Sequence, residues 1–255
     1  MNLDELQHYK APEQLLAGKN ILVTGASAGI GEAAALAYAK HGATVILIGR
    51  NGERLEATYD AIESAGGPQP VICPLDLEIA GESEYQSLAE QINDSLGALH
   101  GLLHNAGLLG KIQPLEQTQL DEWHKVMQVN LHSNFLLTKA LLPALRKADS
   151  ASVVFSSSGV GRRGRAYWGA YAISKFATEG MMQIWADELA NTDNIRINSL
   201  NPGATNTAMR RSAYPAEQPD TNPLPEDIMG AYLFLMGDGS ASVNGQALNA
   251  QVPQP

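Results

Sequence analysis

Near the start of this 255-residue chain an apolar run, a glycine-rich turn and a helical pattern follow one another without a gap. Ile21-Leu22-Val23 reads as a buried strand. Thr24-Gly25-Ala26-Ser27-Ala28-Gly29-Ile30-Gly31 comes next, and residues 32–40 read as a helix ending before Gly42. Strand, glycine-rich turn and helix are the context of a dinucleotide-binding fingerprint. The glycines allow a tight turn and close approach of a pyrophosphate. The helix N-terminus turns N–H donors and its positive dipole end toward the phosphates. Any tight turn between strand and helix needs glycine. The weight therefore rests on the agreement of all three parts.

That opening unit repeats in kind along the chain. Strands are expected at 21–25, 44–49, 70–75, 99–104, 152–157, 195–201 and 246–250. Helical patterns lie between them at 30–40, 53–65, 82–96, 120–146, 167–190 and 225–236. Such alternation predicts an α/β fold: a single Rossmann-type, doubly wound parallel sheet of about seven strands covered on both faces. One domain is expected over 1–255, with its core at about 20–250. Residues 210–225, rich in Pro, Asn, Asp and Ala, show little periodicity and read as a substrate lid or a disordered loop. The last five residues read as a frayed end.

The formal net charge of −10 argues against nucleic acid and anionic membranes as partners. Cys73 is the single cysteine, so no internal disulfide forms, and a reducing, cytoplasmic setting is expected. Its apolar neighbours Ile72 and Pro74 make it a small core residue rather than a nucleophile. Residues 1–19 lack a basic leader and an apolar centre, which excludes a secretory signal. No run reaches the ~18 apolar residues of a membrane span. No metal site is expected.

A second feature carries chemistry. Tyr171 and Lys175 stand four apart in Tyr-Ala-Ile-Ser-Lys, on one face of a predicted helix. A free phenol ionises near pH ~10 and is a poor acid-base catalyst at neutral pH. A neighbouring ammonium favours the phenolate, so the pair is a candidate proton-transfer unit.

These two motifs, in this order and at this separation, resemble the short-chain dehydrogenase/reductase family over nearly the whole chain. Further matches follow in sequence: His104-Asn105-Ala106-Gly107, Asn130 within Val129-Asn130-Leu131, Ser156-Ser157-Ser158-Gly159, and Asn201-Pro202-Gly203 with Thr207. The segments 166–171 and 176–182 resemble its bacterial YciK-type branch, whose physiological substrate is unclear. The resemblance implies a hydride transfer between a nicotinamide cofactor and a carbonyl or alcohol, with catalytic residues Asn130, Ser158, Tyr171 and Lys175. The family's serine lies thirteen before the tyrosine, which selects Ser158; Ser156 and Ser157 read as strand-end residues that bond locally. Ser158 would donate to the substrate oxygen, Tyr171 would protonate it, and Lys175 would keep the tyrosine acidic and grip the ribose. Asn130 would anchor a water linking Lys175 to solvent; as a bare helix-interior amide it would instead bend the helix.

For the cofactor, the resemblance implies Gly25, Ser27, Gly29, Ile30, Gly31, Arg50, Asp76, Leu77, Asn105, Ala106, Gly107, Tyr171, Lys175, Pro202, Gly203 and Thr207. Asp76 either meets the adenine or caps a turn. His104, where the family more commonly has asparagine, reads as a packed strand-end residue. The second strand ends Ile48-Gly49-Arg50-Asn51 with no carboxylate to repel a 2′-phosphate and an arginine to pair with one. NADP(H) is therefore expected over NAD(H), although Ala28 stands where many NADP-binding relatives carry a second basic residue. Arg162, Arg163, Arg165, Arg210 and Arg211 form a basic cluster that either attracts an anionic substrate or is solvated loop charge. The competing class is a nucleotide-binding regulator or scaffold with little turnover. Pairing through the helices at 120–146 and 167–190 is implied, giving a homodimer or homotetramer.

Overall fold

In the computed structural model of the chain, residue 6 and residues 8–252 are described; residues 1–5, 7 and 253–255, where part of the expected leader-free start and frayed end fall, lie outside them. The strands are β1 (Asn20–Thr24), β2 (Thr44–Gly49), β3 (Val71–Pro74), β4 (Gly101–His104), β5 (Ala151–Ser156), β6 (Ile195–Asn201) and β7 (Ala247–Asn249). They form one seven-stranded sheet in the order β3-β2-β1-β4-β5-β6-β7, with every pairing parallel. The winding reverses between β1 and β4, where Val23 pairs with Leu47 on one side and Leu103 on the other. In such sheets the crevice beyond the strand ends at this reversal is the ligand site.

Side chains alternate across a strand, and the core divides accordingly. Ile21, Val23, Val45, Leu47 and Val154 face one cluster, with α1 (Gly29–Lys40), α2 (Gly52–Ser64) and α8 (Met229–Met236). Leu22, Ile46, Ile48, Val153 and Phe155 face the other, with α3 (Glu82–Leu96), α5 (Ser133–Arg146) and α6 (Gly169–Leu189). Both faces are apolar, which is why the strands read as unbroken apolar runs.

Three expected elements differ in detail. The helix at 120–146 is α4 (Leu120–Met127) and α5 joined by a π turn, Gln128–His132. The last helix begins as a tighter turn, Pro225–Ile228, before α8. Residues 210–225 are not shapeless: α7 (Ala208–Ala213) is capped by Thr207, whose Oγ1 accepts from the Arg210 N–H at 3.1 Å, and a tight turn follows at Pro219–Thr221. Cys73 packs against the second core cluster, as a core residue does, but is only half-buried because β3 is an edge strand.

Candidate active site

Gly25 adopts φ +69° at the turn after β1, a conformation costly for other residues. Gly31 sits in the first turn of α1 and presses on the glycine turn. A Cβ there would lie 2.2 Å from the Gly25 carbonyl oxygen and 2.5 Å from Asn105 Nδ2. Thr24 ties in the end of β4: its Oγ1 accepts from the N–H groups of Asn105 and Ala106, both at 3.0 Å. The glycine turn and the Asn105–Gly107 segment are thus one unit.

These segments wall a cleft of about 540 Å³. Gly25, Ser27, Gly29, Ile30, Arg50, Asp76, Leu77, Asn105, Ala106, Gly107, Tyr171, Lys175, Pro202 and Thr207 all border it. Gly31 and Gly203 do not. Gly31 packs behind the turn, and Gly203 adopts φ +77° with its N–H donating to Asn201 Oδ1 at 3.1 Å. Asp76 borders the cleft and also caps its turn, accepting from the Glu78 N–H at 3.0 Å. Asn51 and Arg54 line the same rim as Arg50 and were not anticipated. The sequence held a signal for them: Asn51 is a good helix N-cap, and its Oδ1 accepts from the Arg54 N–H at 3.0 Å. That cap places Arg54 in the first turn of α2, beside the end of β2.

Tyr171 and Lys175 lie on α6, both buried. The Lys175 ammonium donates to the Ser156 carbonyl oxygen at 2.6 Å and lies 5.6 Å from the Tyr171 ring centre. Burial pushes the Tyr171 phenol up to about 12, against a hydrogen bond with the Ser158 side chain that pulls it down. Burial also pushes Lys175 down to about 8, with Glu179 opposing. The ammonium is turned to Ser156, and burial is the dominant influence on the phenol.

Ser158 touches the phenol but not the wall of the main cleft. Its two neighbours, expected to bond locally, bond instead to distant segments: Ser156 Oγ donates to Asn105 Oδ1 at 3.4 Å and Ser157 Oγ donates to Glu179 on α6. Asn130 lies fully buried in the π turn. Its Oδ1 accepts from the Leu108 N–H at 2.7 Å, and its Nδ2 donates to the Leu108 carbonyl at 2.9 Å and to Ser174 Oγ at 3.0 Å. The amide thus holds the segment after Gly107 against α6. His104 packs on Phe155 with ring centres 4.7 Å apart, and its Nε2 pairs with Thr138 Oγ1 at 2.8 Å.

Two of the five arginines form ion pairs and two donate to neutral oxygens. Arg162 pairs with Glu179 at 3.1 Å, Arg165 donates to the Tyr214 hydroxyl at 2.8 Å, and Arg211 donates to Asn206 Oδ1 at 2.8 Å. Arg210 grips Glu217 with two hydrogen bonds of 2.6 Å and lies over the Tyr214 ring. Tyr214 meets Trp168, which meets Tyr171, each pair with ring centres 5.8 Å apart. An aromatic row therefore connects the segment 208–225 to the phenol.

A parallel seven-stranded sheet with a glycine turn at its switch point and a buried Tyr–Lys pair beside it defines a Rossmann-type oxidoreductase. The family model described as short chain dehydrogenase matches residues 19–218, and the chain belongs to that family. It is of the YciK type within it: it is 51% identical to the uncharacterized oxidoreductase YciK of Escherichia coli K12 over 244 residues, 96% of each chain. The short chain dehydrogenase of Shigella flexneri superposes with a TM-score of 0.95 at 50% identity, covering 98% of this chain and 97% of that one. An Escherichia coli CFT073 chain solved in complex with NADPH superposes with a TM-score of 0.92 at 52% identity, covering 94% of this chain and 100% of that one. Among the described residues no helix is long and apolar enough to cross a membrane.

Proposed function

We propose that this protein is a cytoplasmic, NADPH-dependent reductase that interconverts a carbonyl and an alcohol at a Tyr-Lys-Ser-Asn site. The observation that carries the reading is the buried Tyr171–Lys175 pair on the wall of a cleft that also holds the glycine turn and Arg50. The residues fit an NADP group. The Gly25–Gly31 contact leaves bare backbone where phosphates approach, and Arg50 and Arg54 offer two guanidinium groups at the rim. The NADPH complex of the E. coli CFT073 chain supports the same choice. Arg54 answers the absence of a basic residue at Ala28.

When bound, NADPH supplies the hydride. The chain's own residues then handle charge and proton. Ser158 donates to the substrate oxygen as negative charge grows on it. Tyr171 gives that oxygen its proton from Oη. Lys175, a cation beside the phenol, stabilises the phenolate left behind. Asn130 fixes the segment after Gly107 and, through Ser174, the turn of α6 that carries Tyr171. The wall beside the phenol is apolar, formed by Leu109, Val160 and Trp168. That apolar wall favours an uncharged, apolar carbonyl compound. The segment 208–225 is read as the lid, and a homodimer or homotetramer as the working assembly.

The test mixes protein, NADPH and a panel of aldehydes, ketones and quinones. Loss of NADPH absorbance with at least one apolar carbonyl is expected. Tight NADPH binding without oxidation across the panel would instead favour a regulator or scaffold of the same fold.

A further inference from the structure

The mechanism above leaves the buried charge of Glu179 unused. Glu179 lies one helical turn beyond Lys175 on α6, on the same face. The residue is 6% exposed. It accepts from Ser157 Oγ at 2.5 Å, Ser199 Oγ at 2.6 Å and Arg162 Nε at 3.1 Å. Arg162 in turn donates to Asn249 Oδ1 at 2.9 Å and to the Leu248 carbonyl at 2.7 Å. One carboxylate thus gathers the ends of β5, β6 and β7 and the turn that follows Ser158.

The arrangement around Ser158 is specific. Lys175 holds the carbonyl of Ser156, Glu179 holds the hydroxyl of Ser157, and Ser158 is next in the chain. The following turn, Gly159–Gly161, is pressed on α6: a Cβ at Gly161 would lie 2.7 Å from Lys175 Cβ. A buried carboxylate is costly unless it is hydrogen-bonded and paired, and an apolar side chain of similar size often serves packing as well or better. Packing alone therefore gives no reason for a charge here. A reason lies one turn away, where a buried ammonium needs a counter-charge. Burial disfavours the charged form of Lys175, and Glu179 is the group that opposes this.

We propose that Glu179, pinned by Arg162, is a positioning residue that fixes the Ser158 turn against α6 and keeps Lys175 a cation. The inference rests on the reading of Lys175 as the cation of the active site. Among the described residues, the ionisable groups facing Lys175 are Tyr171 and Glu179 on its own helix and His104 at the end of β4, with Arg162 behind Glu179. His104 is held neutral by burial, so Glu179 is the anion of the set.

The charge role makes opposed predictions for two variants. Glu179→Gln keeps the shape and removes the charge, so Lys175 should lose its proton at lower pH, by about one pH unit. Arg162→Gln leaves the Glu179 charge unneutralised, so Lys175 should hold its proton to higher pH. Both are read by NMR titration of protein carrying isotope-labelled lysine, with the Lys175 signal identified by its absence from Lys175→Met. Opposed shifts support the proposal. Unchanged midpoints, or shifts in the same direction, overturn it. If Glu179→Gln did not fold, Arg162→Gln alone would decide, an unchanged Lys175 midpoint counting against the idea. In parallel, NADPH-dependent reduction of para-nitrobenzaldehyde by Glu179→Gln should lose kcat at lower pH than the parent does. Failure of the parent protein to turn over any carbonyl would count against the proposed function, while the titration would still decide the role of Glu179.

Discussion

The Lys175 ammonium stands 5.6 Å from the centre of the Tyr171 ring, yet its short hydrogen bond goes to the Ser156 carbonyl. The two side chains are therefore neighbours without being bonded. With the phenol raised to about 12 and the ammonium lowered to about 8, the site holds its proton firmly on Tyr171. That is the charge state a proton donor to a carbonyl oxygen needs.

The first prediction follows from this pair. Tyr171→Phe keeps the ring and removes the proton. Turnover should fall by about 10²-fold or more with NADPH affinity nearly intact. A Tyr171→Phe protein that reduces a good substrate at the parent rate would show that the proton comes from elsewhere.

The second concerns pH. Lys175 is lowered from 10.5 to about 8, so between these values the folded protein binds fewer protons than the unfolded chain. A group lowered in this way makes stability rise with pH across that window. Catalysis moves the other way, since the stabilising cation is lost. The value of kcat/KM for reduction should decline with a midpoint near 8, while denaturant unfolding of Lys175→Met should lack the rise in stability seen in the parent from pH 8 to 10.5. A pH–rate profile flat across this range would break the link between the Lys175 charge and catalysis.

The third concerns cofactor choice. Arg50 and Arg54 line one rim of the cleft, and the end of β2 carries no carboxylate there. NADPH should bind more tightly than NADH. Arg50→Ala should weaken NADPH by ~1–3 kcal/mol and barely change NADH, with Arg54→Ala acting in the same direction. Calorimetric titration giving equal affinities for both cofactors in the parent would exclude a 2′-phosphate role for either arginine.

Much of this architecture is legible in the sequence. The strands read correctly because a sheet covered on both faces makes them continuous apolar runs, and the glycine turn read correctly because a steric demand falls on single positions such as Gly31. Contacts between residues far apart in sequence did not read. The π turn at Asn130 follows from its bonds to Leu108, 22 residues away, and a helical period cannot announce it. Arg162 looked like a free cation because its partner Glu179 lies 17 residues further on. The short helix α7 is only six residues, too brief for a period to show. Spacing places Tyr171 and Lys175 on one face of α6, but it does not reveal how far burial governs both groups.

The fourth prediction concerns acid. His104 is fully buried and lowered from 6.5 to about 3, chiefly by burial and then by the Lys175 charge. The unfolded chain takes up a proton near 6.5, and the folded one does not until about 3. The stability that this neutral histidine contributes is present above 6.5 and is lost as pH falls below it, at about 1.4 kcal/mol per pH unit. Urea unfolding should show the parent weakening between pH 6.5 and 5, and His104→Asn weakening less. Parallel losses in both proteins would assign the acid sensitivity to other groups.

The fifth concerns assembly. The helices at 120–146 and 167–190 carry more large apolar residues than one sheet face can cover. Val126, Leu137, Met182 and Leu189 are buried against the second core cluster or its neighbours. Phe135, Phe176 and Ile184 are not, at 44%, 44% and 60% exposure, and Leu120 stands out further at 66%. Phe135 stacks with Trp185 across the two helices, ring centres 6.4 Å apart, so outward apolar residues of the two helices adjoin there. Large apolar side chains left in water on such helices mark an interaction surface. A two-fold contact would set each helix against its own copy and cover the patch on both chains at once. It would also stiffen the helices that hold Asn130 and Tyr171, so assembly and activity should fall together. Light scattering at micromolar concentration should report at least twice the chain mass of 27.2 kDa. Phe135→Glu with Ile184→Glu places like charges on the patch, and the double variant should run as a monomer with reduced turnover. A parent protein that stays monomeric and fully active would mean that water covers this face, and the pairing would be refuted.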